Sequence, residues 1–527
     1  MPSQTINVFL EEQNRKMESL YKPVLLSHWM AATTGKKEWN EKHIKALNKY
    51  FANFSVKEVY KTVLFYREDK QVNSLQRRQL DDLYNKMVKN QLDPSITAKT
   101  LELEKAISHE INTYRPIFKG KAVTNNEILD ILKTSNNSEQ RKEAWLAAKQ
   151  IGKKIEDTVL QLVHKRNKDA QALGYENFYH MSLETQELNV DEVFNIFNKL
   201  KVLSDEPFRR VKDEIDEELS IKLGVTKENI RPWHYVDPFF QEAPPVSGID
   251  LDQVYKNKNM EQIVINTFES MGLDIKDIFQ KSDLYPRDNK NPFGFCTNTD
   301  RRGDIRVLVN IDESVFWATA LLHEFGHAAY FKYIDAKLPF ILRFHSHSLT
   351  TEAIAMFFGR LTKRLDWQQR FIKDEQLEHL EPAIKKMMQR QMLVNARWII
   401  TFCYFEKEMY ENPDQDLNKR WWELVQEIQF ISPPEDTNYP DWASKMHFSL
   451  APVTYQDYLL GELTASQLQS YIENNISNDL FVPEVGLYLK ENFFKHGALL
   501  NWNEKIKRAT GENLNPRYFI NQFLMGH

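Results

Sequence analysis

Apolar residues recur at three- and four-residue spacing through nearly every window of this chain, and that periodicity restricts it to a helical architecture. In 6–31, Ile6, Phe9, Leu10, Met17, Leu20 and Tyr21 share one face while charge fills the other. Similar patterns run through 41–67, 76–91, 99–113 and 139–172. The last ends in Leu173-Gly174-Tyr175, a glycine stop, and a further helix is predicted over 190–220. Only 16 of 527 residues are glycine, which argues against β-sandwiches and Gly-rich phosphate loops. The mixed-sign charge in 56–82 reads as a solvated helix face.

Two regions break the helical pattern. Residues 231–250 carry four prolines and several aromatics and are expected to form an ordered loop or hinge. Residues 285–311 end in an alternation, with Ile305, Val307, Val309 and Ile311 on one face, which predicts a short strand leading into a helix that starts near Ser314. A Pro-rich loop at 432–441 precedes the last helical stretch. The expectation is a mainly α chain: one catalytic unit over 1–527, two helical halves around a deep cleft, and a small β-sheet near the site described next.

Composition excludes several function classes. A chain this long buries a large core without disulfides, and two cysteines, Cys296 and Cys403, allow one bridge at most. The net charge of −5 gives no electrostatic reason to expect nucleic acid. No run of apolar residues is long enough to span a membrane. The N-terminus has neither a basic nor an apolar signal segment, so the chain reads as cytoplasmic, or as exported if a leader has been removed. No particular oligomeric state is implied.

The chemistry-bearing motif is His323-Glu324-Phe325-Gly326-His327. Residues four apart lie on one helix face, so both imidazoles can bind one Zn²⁺ per chain, and Glu324 projects beside it as a general base. The bland alternative is two histidines on a half-buried helix. Against it stand the preceding strand, the glycine inside the motif and a third candidate ligand, Glu352, at the start of a following helix. Three protein ligands leave a position open, as catalysis requires. His345 and His347 are nearer the motif but fall in a loop, where they read as polar supporting or surface groups.

The HExxH helix with its downstream Glu resembles the gluzincin metallopeptidases, and above all the angiotensin-converting-enzyme-like peptidyl-dipeptidases. Asp304-Ile-Arg-Val, His327-Ala-Ala-Tyr-Phe331 and Leu338-Pro-Phe-Ile-Leu-Arg343 resemble that family's D-F-R-I, H-I-Q-Y-F and L-P-V-A-L-R. Lys445-Met-His447 and Tyr455-Gln-Asp-Tyr458 resemble its K-F-H and Y-x-x-Y, and Asp237-Pro-Phe-Phe-Gln241 more loosely its N-x-W-x-Q. The likeness is strong over 295–360 and 441–460. It implies that Lys445, Tyr455 and Gln241 hold the C-terminal carboxylate of an oligopeptide substrate. It further implies that Tyr458 donates to the oxyanion, that His447 donates to a substrate carbonyl, and that the product is a dipeptide. The strand at 304–311, or the loop before it, is expected to pair with an extended peptide.

Departures from that family matter as much. Cys296-Thr297 replaces its Cys-His pair, and the family's disulfide partner aligns with Asn310, implying a free thiol at Cys296. Asp457 takes the place of a chloride-binding Arg, and Met356 that of a carboxylate near the metal. Rival readings are an endo-acting oligopeptidase of the thimet or oligoendopeptidase type, which Leu173-Gly-Tyr-Glu-Asn-Phe178 resembles, a metallocarboxypeptidase, and a non-catalytic peptide-binding scaffold.

Overall fold

The computed structural model describes residues 5–246, 250–374 and 377–524. Helix takes 69% and strand 3%, as the periodicity predicts. Helices Ile6–Thr34, Ser74–Val88, Pro94–Thr113, Ser138–Ala172 and Val190–Leu223 fall where the apolar stripes place them. Side-chain caps set several starts: Asn137 accepts from Gln140 N–H and Asn189 from Glu192 N–H. Gly174, at φ 90°, ends the helix Ser138–Ala172 in a left-handed conformation.

Segment 41–67 is not one helix but two, Lys37–Ala52 and Lys57–Glu68, separated by a tight turn at Asn53–Ser55. There Phe54, 3% exposed, turns into a core shared with Phe9, Leu80 and Phe340, and burying that ring is worth more than unbroken periodicity, about 2 kcal/mol. A hairpin of β1 (Ile117–Phe118) and β2 (Lys121–Ala122) was not foreseen. Its two-residue turn, Lys119-Gly120, has positive φ at both positions, the geometry that matches strand twist.

The predicted strand is shorter than the alternation implied. β4 spans Ile305–Leu308 and pairs antiparallel with β3, Phe295–Asn298. Its other edge is also taken: Asp283 N–H donates to Val307 O (2.8 Å), and Val309 N–H to Asp283 O (3.0 Å). Pairing of a peptide with the 304–311 strand is therefore corrected, because both edges of β4 are occupied. Val307 N–H goes to Ser282 Oγ at 2.9 Å, so Cys296 opposite it is a non-hydrogen-bonded partner whose own N–H points away from β4.

The chain divides into two compact units. The first comprises Met1–Gln91, Gly248–Ile384 and Leu460–Phe519, and the second Leu92–Ser247, Lys385–Leu459 and Ile520–His527. The first is built on a core in which Val307, Phe325, Phe357, Phe358 and Phe493 are all buried. The second is centred on aromatics, with Phe402 and Phe448 stacked at 4.0 Å and 3°. No described helix is long and apolar enough to cross a membrane.

Candidate active site

Helix α1, Val315–Lys332, begins where Ser314 Oγ accepts from Trp317 N–H, so the HExxH motif falls in regular helix, about two and a half turns past the cap. Helix α2, Ser348–Gly359, packs across it. Gly326 permits the approach: a Cβ there would lie 3.0 Å from Ala355 Cα and 3.1 Å from Ile354 O. The close crossing brings Glu352 to the two imidazoles. Its Oε2 lies 3.7 Å from His323 Nε2 and its Oε1 3.7 Å from His327 Nε2. One ligand atom from each of the three lies within 4.8 Å of the others, a spacing that a single ion can bridge.

The donors are in the state a cation needs. Burial drives the His323 pKa down to about 4 and that of His327 well below its ordinary value, so both rings are neutral. Thr351 Oγ1 sits 2.7 Å from His327 Nδ1, which holds the ring with Nε2 turned toward Glu352. A hydroxyl thus supports the candidate ligand, where the acid absent at Met356 was the expected kind of group. Burial also pushes Glu324 up to about 8, with the Glu352 charge adding and the Cys296 N–H opposing. That hydrogen bond comes from the outward edge of β3. Gly294 lies beside it, where a Cβ would stand in ordinary contact, 3.5 Å from Glu324 Oε1.

The neighbouring histidines have other work. His347 caps α2, its Nδ1 accepting from Leu349 N–H at 3.1 Å. His345 packs its ring on Phe344 at 3.9 Å and on Phe331 at 5.8 Å. Cys296 and Cys403 are both free thiols.

The remaining candidates gather in the second unit. Lys445 Nζ donates to Gln241 Oε1 at 2.8 Å and faces the rings of Phe239, Trp398 and Tyr455 at 5.4, 5.1 and 5.4 Å. Asp237 presets Gln241 by accepting the backbone N–H groups of Phe239, Gln241 and Glu242. Tyr455 OH accepts from Trp398 Nε1 at 3.0 Å, and its ring lies edge-on to His447 at 5.0 Å and to Tyr458 at 5.5 Å. Burial, with Lys445 adding, brings the His447 pKa down to about 4. Tyr458 is 47% exposed.

The model of peptidase family M3 matches residues 131–525, which include every candidate named above. The chain belongs to peptidase family M3. Peptidases of this family are zinc-dependent and act on peptides, and two neutral imidazoles beside the Glu352 carboxylate suit that metal. Carboxypeptidase 1 of Bacillus subtilis (strain 168) is 28% identical over 261 residues, 44% of this chain and 51% of that protein; the match thus spans about half of the relative's length. Family M3 is the thimet-type family that the sequence resembled more distantly.

Three supporting residues of this family M3 chain escaped the sequence reading. Thr351 gives no pattern, since hydroxyls are common in helices. Trp398 lies far from Tyr455 in sequence. Gly461, inside helix Gln456–Asn475, did carry a signal, because a mid-helix glycine needs a reason. Its reason is Glu352, whose Cβ a Cβ at 461 would meet at 3.1 Å.

Proposed function

We propose that this chain is a zinc metallopeptidase directed to the C-terminus of oligopeptides, releasing dipeptides. His323, His327 and Glu352 hold the ion. When bound, Zn²⁺ supplies a Lewis acid to the scissile carbonyl and a lowered pKa to water. Glu324, on helix α1 and held by the Cys296 N–H of β3, takes the proton of the attacking water and delivers it to the leaving nitrogen. Tyr458 donates to the developing oxyanion and His447 to a substrate carbonyl. Lys445, Gln241 and Tyr455 receive the terminal carboxylate.

The observation that carries the C-terminal preference is the state of Lys445. Its ammonium is walled by three rings and hydrogen-bonded to a neutral amide, and among the described residues it makes no ion pair. A half-buried cation so placed favours an anionic ligand. A second reading, release of single residues, draws on the name of the Bacillus subtilis relative, a carboxypeptidase. An endopeptidase would not need the cation.

Mass spectrometry of digests of one peptide as free acid and as C-terminal amide separates these. Dipeptide release from the acid, with the amide much slower, is expected. Single residues would favour the second reading, and equal rates would remove the role of Lys445. Glu324→Gln is expected to lower turnover by about 10²-fold or more while zinc stays bound.

A further inference from the structure

Val453 is fully buried, at 0% exposure, and has φ 55°, a left-handed conformation that a β-branched side chain resists. Something must hold it there, and three contacts do. Its N–H donates to Glu406 Oε1 at 2.9 Å. Its carbonyl accepts from Gln186 Nε2 at 3.1 Å and from Gln456 Nε2 at 3.0 Å. Glu406 and Gln456 are themselves fully buried, so water cannot substitute for them. Glu406 Oε2 has no hydrogen-bond partner; this carboxyl is not consumed by an ion pair.

Two residues on, Tyr455 is gripped by the same helix, Leu377–Glu411. Trp398 Nε1 donates to its hydroxyl, and Phe402 stacks on its ring at 4.2 Å and 22°. Trp398, Phe402 and Glu406 are spaced by four and so form one stripe along that helix. The bend at Val453 sets where Tyr455 emerges, and the next helical turn carries Tyr458.

We infer that Glu406 is a positioning residue: it clamps the strained Val453 backbone while Trp398 and Phe402, on the same helix face, hold the Tyr455 ring, and together they fix Tyr455 for capture of the substrate carboxylate. The inference rests on the role proposed for Tyr455, but the clamp itself can be read without activity. Burial raises the Glu406 pKa to about 8, with the Val453 N–H and then Arg166 opposing, so the carboxyl is largely uncharged at neutral pH and Gln is a close mimic.

The test compares Glu406→Met, which keeps volume but lacks the acceptor, with Glu406→Gln, which keeps it, in the full chain. Hydrogen–deuterium exchange over 451–459 reads the clamp. KM and kcat for a free-acid peptide and its amide read its consequence. Glu406→Met should speed exchange and raise KM for the acid roughly tenfold, leaving kcat and the amide nearly unchanged. Glu406→Gln should resemble the parent. Adding Val453→Gly to Glu406→Met should restore KM, because glycine adopts the bend unaided. Trp398→Phe, which removes the donor to Tyr455 and does not depend on Glu406→Met folding, should raise KM for the acid alone. Unchanged exchange and KM in Glu406→Met and Trp398→Phe would overturn the inference, as would equal losses on acid and amide. If the parent cuts acid and amide alike, the proposed function fails, and exchange alone then decides whether the clamp exists.

Discussion

The hydroxyl of Thr351 lies 2.7 Å from Nδ1 of His327, so a residue adjacent in sequence to one proposed zinc ligand, Glu352, orients another. Because both sit on helices locked through Gly326, the hydroxyl cannot drift. Thr351→Val keeps the shape and removes the bond, and should weaken zinc binding by about tenfold or more. Competition with a chelator measures this, and Thr351→Ser should retain parental affinity. Equal metal retention in Val and Ser would remove Thr351 from the support of the site.

Gly461 makes the opposite kind of contact, an absence of atoms. In a helix interior, Gly→Ala ordinarily adds about 1 kcal/mol of stability. Here the new Cβ would lie 3.1 Å from Glu352 Cβ and 3.3 Å from Met356 Sδ, and overpacking of a fixed core costs about 1–3 kcal/mol. Packing therefore wins, and Gly461→Ala should lower both the melting temperature and zinc affinity. Adding Met356→Ala should recover stability but not metal, since the contact with Glu352 remains.

Asp457 places a carboxylate, 9% exposed and accepting from Gln456 Nε2 at 3.1 Å, where the resembling family has its chloride-binding arginine. A buried carboxylate repels an anion. Added chloride should leave the rate where an equal ionic strength of acetate leaves it. A several-fold rise specific to chloride would count against this.

What was legible in the sequence follows the range of the interactions involved. His323 and His327 were legible because helical geometry alone places residues four apart on one face. Glu352 was legible because it lies near the start of the next helix, Ser348–Gly359, after the loop that follows Lys332. β3 was not: Phe295–Asn298 is four residues long, with no alternation to mark it, and exists because β4 pairs with it. The strand was overextended because alternation reports which face is buried, not which backbone groups are paired, and Val309 and Ile311 pair with Asp283 and Leu284 instead. Segment 41–67 kept its period across a break that only the burial of Phe54 imposes. The Lys445–Gln241 pair, 204 residues apart, entered the sequence reading through resemblance, since no local pattern joins residues so distant.

Lys445 gives the pH dependence. Burial lowers its pKa to about 8, against the opposing charges of Asp237 and Glu242. Below that value the ammonium is charged and can hold a carboxylate; above it the charge is lost. The ratio kcat/KM, which reports the free enzyme, should therefore fall for a free-acid peptide as pH rises through about 8, with no matching fall for the amide. Lys445→Met should flatten that difference at a low rate for the acid. Stability should move the other way. A lysine whose folded pKa is depressed binds its proton less tightly in the folded state than in the unfolded chain, so its burial is a cost at neutral pH. That cost fades between about 8 and the ordinary 10.5. Lys445→Met should accordingly raise the melting temperature at neutral pH, with the gain shrinking in alkali. A variant that loses stability at neutral pH, with acid and amide profiles unchanged, would place Lys445 in the packing of the unit and not in substrate capture.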